Sequence, residues 1–320
     1  MSTTIYRRVT PFLQAEEQRP AAEADVVLLG APFDATTSFR PGTRFGPERI
    51  RFVSYGLEVY SPLLDDELDS MWFSDYGDLD LPLRDAEEMT RRVESAVNEI
   101  CQAGARPLML GGEHTVSVGA IWAVAAHQPG LTVLHLDAHA DWRDCYLGDK
   151  LCHATAIRRA ADRGLGRIIQ IGIRSGGAEE WREAKQRGDF YPGEGPERVA
   201  QCAYELAAQQ APVYLTLDID VLDPAFAPGT GTAEPGGWTS SQLLQALQVL
   251  SQAGVRLVGA DVVEVAPPLD AADITSIVAS KVVRELAIVL HRSVQRWGRG
   301  TVNHQQFSSQ GSVVTTSPRT

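Results

Sequence analysis

The sequence predicts an α/β protein with three α-β-α layers around a mostly parallel central sheet. Two observations carry that expectation. Short, mostly unbroken apolar runs recur at 25–29, 107–110, 131–136, 167–173, 213–217 and 256–263. Continuous Val, Ile and Leu runs of this length suit strands buried on both faces, as parallel strands are. Helix-length stretches fill the gaps, and strand–helix alternation builds a parallel sheet covered by helices.

The helices follow in order. Residues 85–102 carry Met89, Val93, Val97 and Ile100 at helical spacing. Residues 117–127, 153–163, 195–209 and 239–253 are expected to be helical as well. Thr239 or Ser240 is the N-cap candidate before the Leu243, Leu244, Leu247 and Leu250 face. A last helix is expected over 271–291, where Ile274, Ile277, Val278, Val282, Leu286, Val289 and Leu290 form an apolar stripe. No internal repeat or Pro/Gly/Ser linker interrupts this pattern, so residues 1–297 are read as one domain. Residues 298–320 are polar and aperiodic and are expected to be a disordered tail. His304 in that tail is read as an incidental surface residue.

With 320 residues the chain can build one large core or two modest ones. The 29 Lys and Arg against 41 Asp and Glu leave a formal charge of −12. That argues against nucleic acid or an anionic membrane as a partner, since both need basic patches. It is compatible with a cationic ligand. Cys101, Cys145, Cys152 and Cys202 form no Cys-x-x-Cys pair, so neither a zinc ribbon nor a redox motif is indicated, and free thiols are expected. Residues 1–19 hold no apolar segment of signal-peptide type, and no run approaches the ~18 apolar residues of a membrane span. A cytoplasmic location is expected.

The chemistry concentrates where apolar runs end. Asp137, His139 and Asp141 occupy alternate positions after the run ending at Leu136. Asp218 and Asp220 do the same after Leu217. Residues two apart on an extended strand share a face. In parallel α/β sheets, ligands bind outside the carboxyl ends of the strands. Gly111-Gly112-Glu113-His114, residues 137–141, 218–223 and 261–264 all sit at or just past such ends. Four acidic or His-bearing strand ends would then converge on one rim.

Two carboxylates ~4 Å apart repel by about 4 kcal/mol at an effective dielectric near ~20. Asp137, Asp141, Asp218 and Asp220 in one cleft therefore require protonation, basic partners or metal. The nearby segments offer His114 and His139 but little Lys or Arg apart from Arg143. Asp and His together suit Mn2+, Zn2+, Ni2+ or Fe2+, and the lack of Cys argues against a structural zinc site. Two divalent ions would cancel the four carboxylates, and such a pair makes hydroxide available near neutral pH. Taken singly, each Asp reads as a turn or helix cap, and His114 reads as structural. His135, deeper in the strand, is read as a packed core histidine, and His127 as solvated. The combination of GGEH, DAHAD and DIDVLDP, each after an apolar run, is what those bland readings fail to explain.

These motifs, with His153, resemble the ureohydrolases, the family of arginase and agmatinase, from about residue 24 to residue 289. Residues 38–47 and 227–232 fit the same pattern. Residues 57–62, 173–176 and 262–267 are most similar to bacterial agmatinases. The resemblance implies an arginase/deacetylase-like fold and two Mn2+ per subunit. His114, Asp137, Asp141 and Asp218 would hold one ion. His139, Asp137, Asp218 and Asp220 would hold the other, with Asp137 and Asp218 bridging. Asp141 would orient the hydroxide and pass its proton to the leaving nitrogen. His153 would shuttle protons or assist substrate binding. Glu264 would pair with the planar guanidinium fork. Asp223 is read as shaping its loop. A homo-oligomer, trimer or hexamer, is also implied.

The reaction expected from the resemblance is agmatine plus water to putrescine plus urea. Arginases usually carry Asn two residues after the aspartate matching Asp141; here that residue is Arg143. Arg143 faces a substrate carboxylate, as in a guanidinobutyrase or another guanidino-acid ureohydrolase, or it turns away while an acidic group such as Asp144 receives the ammonium of agmatine. A non-catalytic metal-containing binding protein, and a single-zinc deacetylase-like amidohydrolase, are the readings from other classes.

Overall fold

The computed structural model describes residues 4–15, 19–68 and 72–299. The chain begins with β1 (Tyr6–Arg7), β2 (Val26–Ala31), α1 (Gly46–Ser54), β3 (Tyr60–Ser61), β4 (Asp66–Glu67) and β5 (Phe73–Leu79). It continues through α2 (Ala86–Gln102), β6 (Arg106–Gly111), α3 (Val116–His127), β7 (Thr132–Leu136), α4 (Ala156–Ala161) and β8 (Arg167–Ile171). The last third holds α5 (Ala178–Arg187), β9 (Asp189–Tyr191), α6 (Pro196–Gln209), β10 (Pro212–Asp218), α7 (Ser240–Ala253), β11 (Arg256–Val263) and α8 (Ile274–Trp297).

Among the described residues β3 and β4 pair with each other, and the remaining strands form one sheet in the order β1-β5-β2-β6-β11-β10-β7-β8-β9. β1 lies antiparallel to β5; every other neighbouring pair is parallel. Alternate residues of each strand feed opposite layers. Leu134 and Leu136, with Leu215 and Leu217, pack among α6, α7 and α8. Val133 and Tyr214 pack with the apolar faces of α2, α3 and α4. The expected three layers are thus present, and the period of two explains them.

All six apolar runs are strands, with shifts of a residue or two at their ends. Thr239 caps α7 through a reciprocal box: Gln242 N donates to its hydroxyl, and the Gln242 side chain accepts from Thr239 N at 2.9 Å. α8 runs six residues past the expected end. The expected helix at 153–163 is instead a 3-10 turn, His153–Thr155, followed by the short α4. Besides the two- and three-residue strands β1, β3, β4 and β9, three longer elements were not legible. β5 reads Phe-Ser-Asp-Tyr-Gly-Asp-Leu, too polar to announce a strand; Arg51 neutralises its two aspartates. α1 and α5 are predominantly polar. His127 is half-buried rather than solvated, and its Nε2 lies 2.7 Å from Asn98 Oδ1. The four cysteines are free. Residues 300–320, including His304, lie outside the described residues. No helix among the described residues is long and apolar enough to cross a membrane.

Candidate metal centre and active-site cavity

The carboxyl ends of β6, β11, β10 and β7, four neighbours in the sheet, carry the polar rim. Beyond β6, a Cβ on Gly112 would lie 1.9 Å from the Phe33 carbonyl oxygen, so only glycine lets the two segments cross there. That crossing delivers His114 to the rim. Asp141 and Glu264 hold left-handed backbones, at φ 50° and 65°. Such conformations cost side chains with a Cβ on the order of 1–3 kcal/mol and gather at functional sites. Tertiary hydrogen bonds enforce both: Arg158 N donates to Asp141 O at 3.1 Å, and Glu264 N to Gly112 O at 2.8 Å.

Two donor groups result. His114 Nδ1 lies 3.1 Å from Asp137 Oδ2, 3.2 Å from Asp141 Oδ2 and 3.4 Å from Asp218 Oδ2. His139 Nδ1 lies 3.0 Å from Asp220 Oδ2 and 3.5 Å from Asp137 Oδ1. Asp137 therefore offers one oxygen to each group. Atoms about 2.1 Å from a common ion and at right angles to one another lie about 3.0 Å apart, close to these spacings. Within these donor groups two atoms are buried yet without a hydrogen bond, His114 Nδ1 and Asp220 Oδ2. Buried polar groups are rarely left so. The donor set, its spacing and its orphaned atoms fit divalent cations.

Electrostatics say the same. Burial, then the charges of Asp220 and Asp137, push the Asp218 carboxyl well above the usual carboxylate range. Burial and Asp137 raise Asp220 as well, partly offset by His139. Asp137 goes the other way: burial opposes its charge, but the three histidines around it, His135 first, hold it well below the usual range. Burial also opposes charge on His139, yet Asp220 and Asp137 raise it to about 12. Without compensating cations this rim retains protons that water would remove.

His135, expected as core packing, is fully buried but works at the rim. Gln170 Nε2 donates to its Nδ1 at 2.9 Å, so its Nε2–H donates to Asp137 Oδ2 at 2.7 Å. Both ring nitrogens are thereby occupied, which makes His135 an orienting partner of Asp137 rather than a donor to a cation. Its alternation with Asp137 was the available signal. A second relay backs His114. Thr216 Oγ1 donates to Asp261 Oδ1 at 2.7 Å, so His114 Nε2–H donates to Thr216 at 2.9 Å and Nδ1 keeps its lone pair for the rim. Tyr214 OH donates to the other Asp261 oxygen at 2.8 Å. Thr216→Val is expected to weaken metal affinity ~10–100-fold, as loss of an outer partner does. Chelator competition measures this; an affinity within twofold of the parent would remove Thr216 from that role.

A cavity of about 320 Å³ opens onto the rim, lined by His139, Asp141, Asp218 and Glu264 at its base. Glu264 accepts from His114 N at 2.8 Å, and burial followed by the Glu113 charge raises its carboxyl well above normal. His153 stands on the wall with Nδ1 2.9 Å from Thr36 O and Nε2 3.1 Å from Ser38 Oγ. Nδ1–H donates to the carbonyl, so Nε2 keeps the lone pair. Burial lowers the His153 pKa and favours the neutral ring. At the outer wall Arg143 Nε donates to Glu180 Oε2 at 3.0 Å, and its guanidinium sits 4.5 Å over the Tyr146 ring. Asp144 is not among the lining residues; it is exposed and accepts from Arg159 at 2.7 Å. The acidic group beside Arg143 in the lining is the buried Glu180, which the sequence did not single out: it lies on α5, outside every motif.

This architecture defines a class, a hydrolase built on a three-layer α/β scaffold with an Asp/His rim. An arginase-family profile matches residues 24–289. The agmatinase of Bacillus anthracis is 46% identical over 268 residues, covering 83% of this chain and 92% of that protein. A guanidinobutyrase from Pseudomonas aeruginosa is 35% identical over 298 residues, 89% of this chain and 92% of that protein. The crystal structure of agmatine ureohydrolase of Thermoplasma volcanium superposes with a TM-score of 0.80 at 32% identity, covering 91% of this chain and 97% of that one. The chain belongs to the arginase family, and it is a ureohydrolase enzyme.

Proposed function

We propose that the chain hydrolyses agmatine to putrescine and urea with two Mn2+ per subunit. The observation that carries the reading is one cavity lined both by Glu264 of the rim and by the Glu180–Arg143 pair. Glu264 accepts the guanidinium N–H fork and fixes the plane of the reacting carbon. The metal pair, when bound by His114, Asp137, His139, Asp141, Asp218 and Asp220, supplies Lewis acidity that makes hydroxide available near neutral pH. Addition of a water oxygen to the guanidinium carbon is followed by cleavage of the bond to the alkyl nitrogen. Asp141 at the cavity base takes the water proton and hands it to that nitrogen. His153, neutral and with Nε2 beside Ser38 Oγ in the cavity lining, assists at the same nitrogen. Urea and the amine leave.

The wall formed by Arg143, Tyr146 and Glu180 bears on the substrate's tail. Arg143 is engaged by Glu180 and Tyr146, which supports an ammonium at this end over a carboxylate. Two features favour the guanidino-acid reading: Arg143 itself lines the cavity, and the guanidinobutyrase relative is 35% identical. A panel decides between them. With Mn2+, kcat/KM for agmatine is expected to exceed that for 4-guanidinobutanoate and arginine by about tenfold or more, since one charged hydrogen bond at the tail contributes ~1.5–3 kcal/mol. A higher value for either acid overturns the agmatine assignment. A metal-loaded protein that releases no urea from any of the three is a binding protein. Elemental analysis should find two transition ions per chain, and light scattering a trimer or hexamer.

A further inference from the structure

Glu113, the acidic residue of the Gly-Gly-Glu-His segment, has no part in the chemistry above, yet it is completely buried. Its carboxylate is wrapped by threonines. Thr36 donates twice, from its backbone N at 3.0 Å and from its hydroxyl at 2.5 Å. The hydroxyls of Thr37 and Thr115 each donate at 3.0 Å. Glu113 N also donates to Phe33 O at 2.8 Å. The carboxylate thus pins Thr36 and Thr37, while the Glu113 backbone holds Phe33. That segment in turn grips His153. Its N–H donates to the Thr36 hydroxyl at 3.2 Å, its Nδ1–H donates to Thr36 O, and Ser38 meets its Nε2.

We propose that Glu113 is a positioning residue for His153, setting the place and tautomer of that ring through Thr36. The inference rests on His153 being the working histidine of the proposed reaction. Buried and multiply bonded, Glu113 has the rigidity that positioning requires. A displacement of about 1 Å in a positioned group can cost ~100-fold in rate. Its sequence neighbour His114 belongs to the cation rim, so the test must separate an effect on His153 from an effect on metal.

The test is a double-mutant cycle on the metal-loaded, full-length protein. Glu113→Gln keeps the volume but replaces one acceptor oxygen with an amide. It is expected to lower kcat/KM for agmatine about tenfold when His153 is present. In the His153→Asn background the same change should cost less than about twofold, because the group it acts through is gone. Metal content should be unchanged. A second reading needs no turnover: the rate at which diethyl pyrocarbonate modifies His153, followed by peptide mass spectrometry, should rise severalfold in Glu113→Gln while His139 keeps its rate. Thr36→Val should reproduce both effects and serves as the test if Glu113→Gln fails to fold. Equal losses in both backgrounds, an unchanged His153 labelling rate, or loss of metal would each overturn the proposal. If the parent releases no urea from any guanidino compound, the proposed function fails, and the labelling arm still decides whether Glu113 positions His153.

Discussion

Asp137→Ala is expected to lose turnover and metal binding together. The carboxylate faces both donor groups, with Oδ2 3.1 Å from His114 Nδ1 and Oδ1 3.5 Å from His139 Nδ1. Truncation removes an oxygen from each. It also strands two donors in a buried place, the His135 Nε2–H and the His139 backbone N–H, which now reach Asp137 at 2.7 and 2.5 Å. Stranded buried donors each cost ~1–3 kcal/mol. The loss in metal affinity should exceed the ~10–100-fold that removal of an outer partner brings. In contrast, Thr216→Val should disturb only the donor group built on His114. Metal content after dialysis and urea release are the measurements, with circular dichroism confirming that the variant is folded. An Asp137→Ala protein that keeps both ions and its activity would place the centre elsewhere.

Arg51→Met should be the most damaging change away from the rim. Arg51 on α1 is fully buried and donates to both Asp75 oxygens, at 2.8 and 2.9 Å, and to Asp78. Asp75 also anchors Phe12 N and Gly77 N, both at 2.9 Å. Burial already pushes the Asp78 carboxyl above its normal range, and the Arg51 charge counters it. Removing the cation leaves two buried carboxylates uncompensated, a loss of ~3–5 kcal/mol by comparison with other buried pairs. Chemical unfolding would show it as a lower midpoint. Adding Asp75→Asn and Asp78→Asn should recover part of the loss, because no buried charge then remains. A cost below about 1 kcal/mol would show that water reaches the site and does the compensating.

These two positions also mark how far the sequence could be read. Asp137 was legible because its neighbours repeat the ligand types at period two, just past an apolar run, and a strand turns that period into a shared face. Arg51 was not. Its partners lie in β5, whose polar composition conceals a strand, and a charged pair across 24 residues has no local signature. His135 shows the same limit from the other side. Its burial was foreseen, but its bond to Asp137 depends on Gln170, one strand over in β8.

Pattern alone determined the six apolar strands, most of the helices, the Thr239 cap and the Asp/His set at the strand ends, since each rests on residues close in the chain. Tertiary structure decided which acidic group lines the cavity beside Arg143. Arg143 and Asp144 are adjacent in sequence, yet Arg143 meets Glu180 and lines the cavity while Asp144 turns out to Arg159. It also decided that Asp141 and Glu264 hold left-handed backbones and that one buried glutamate ties the 33–37 segment beside His153. The physical reason is common to all three. Periodicity reports the face a residue occupies, but pairing between distant segments is set by how helices and loops pack over the sheet, and only the folded chain brings those partners within bonding distance.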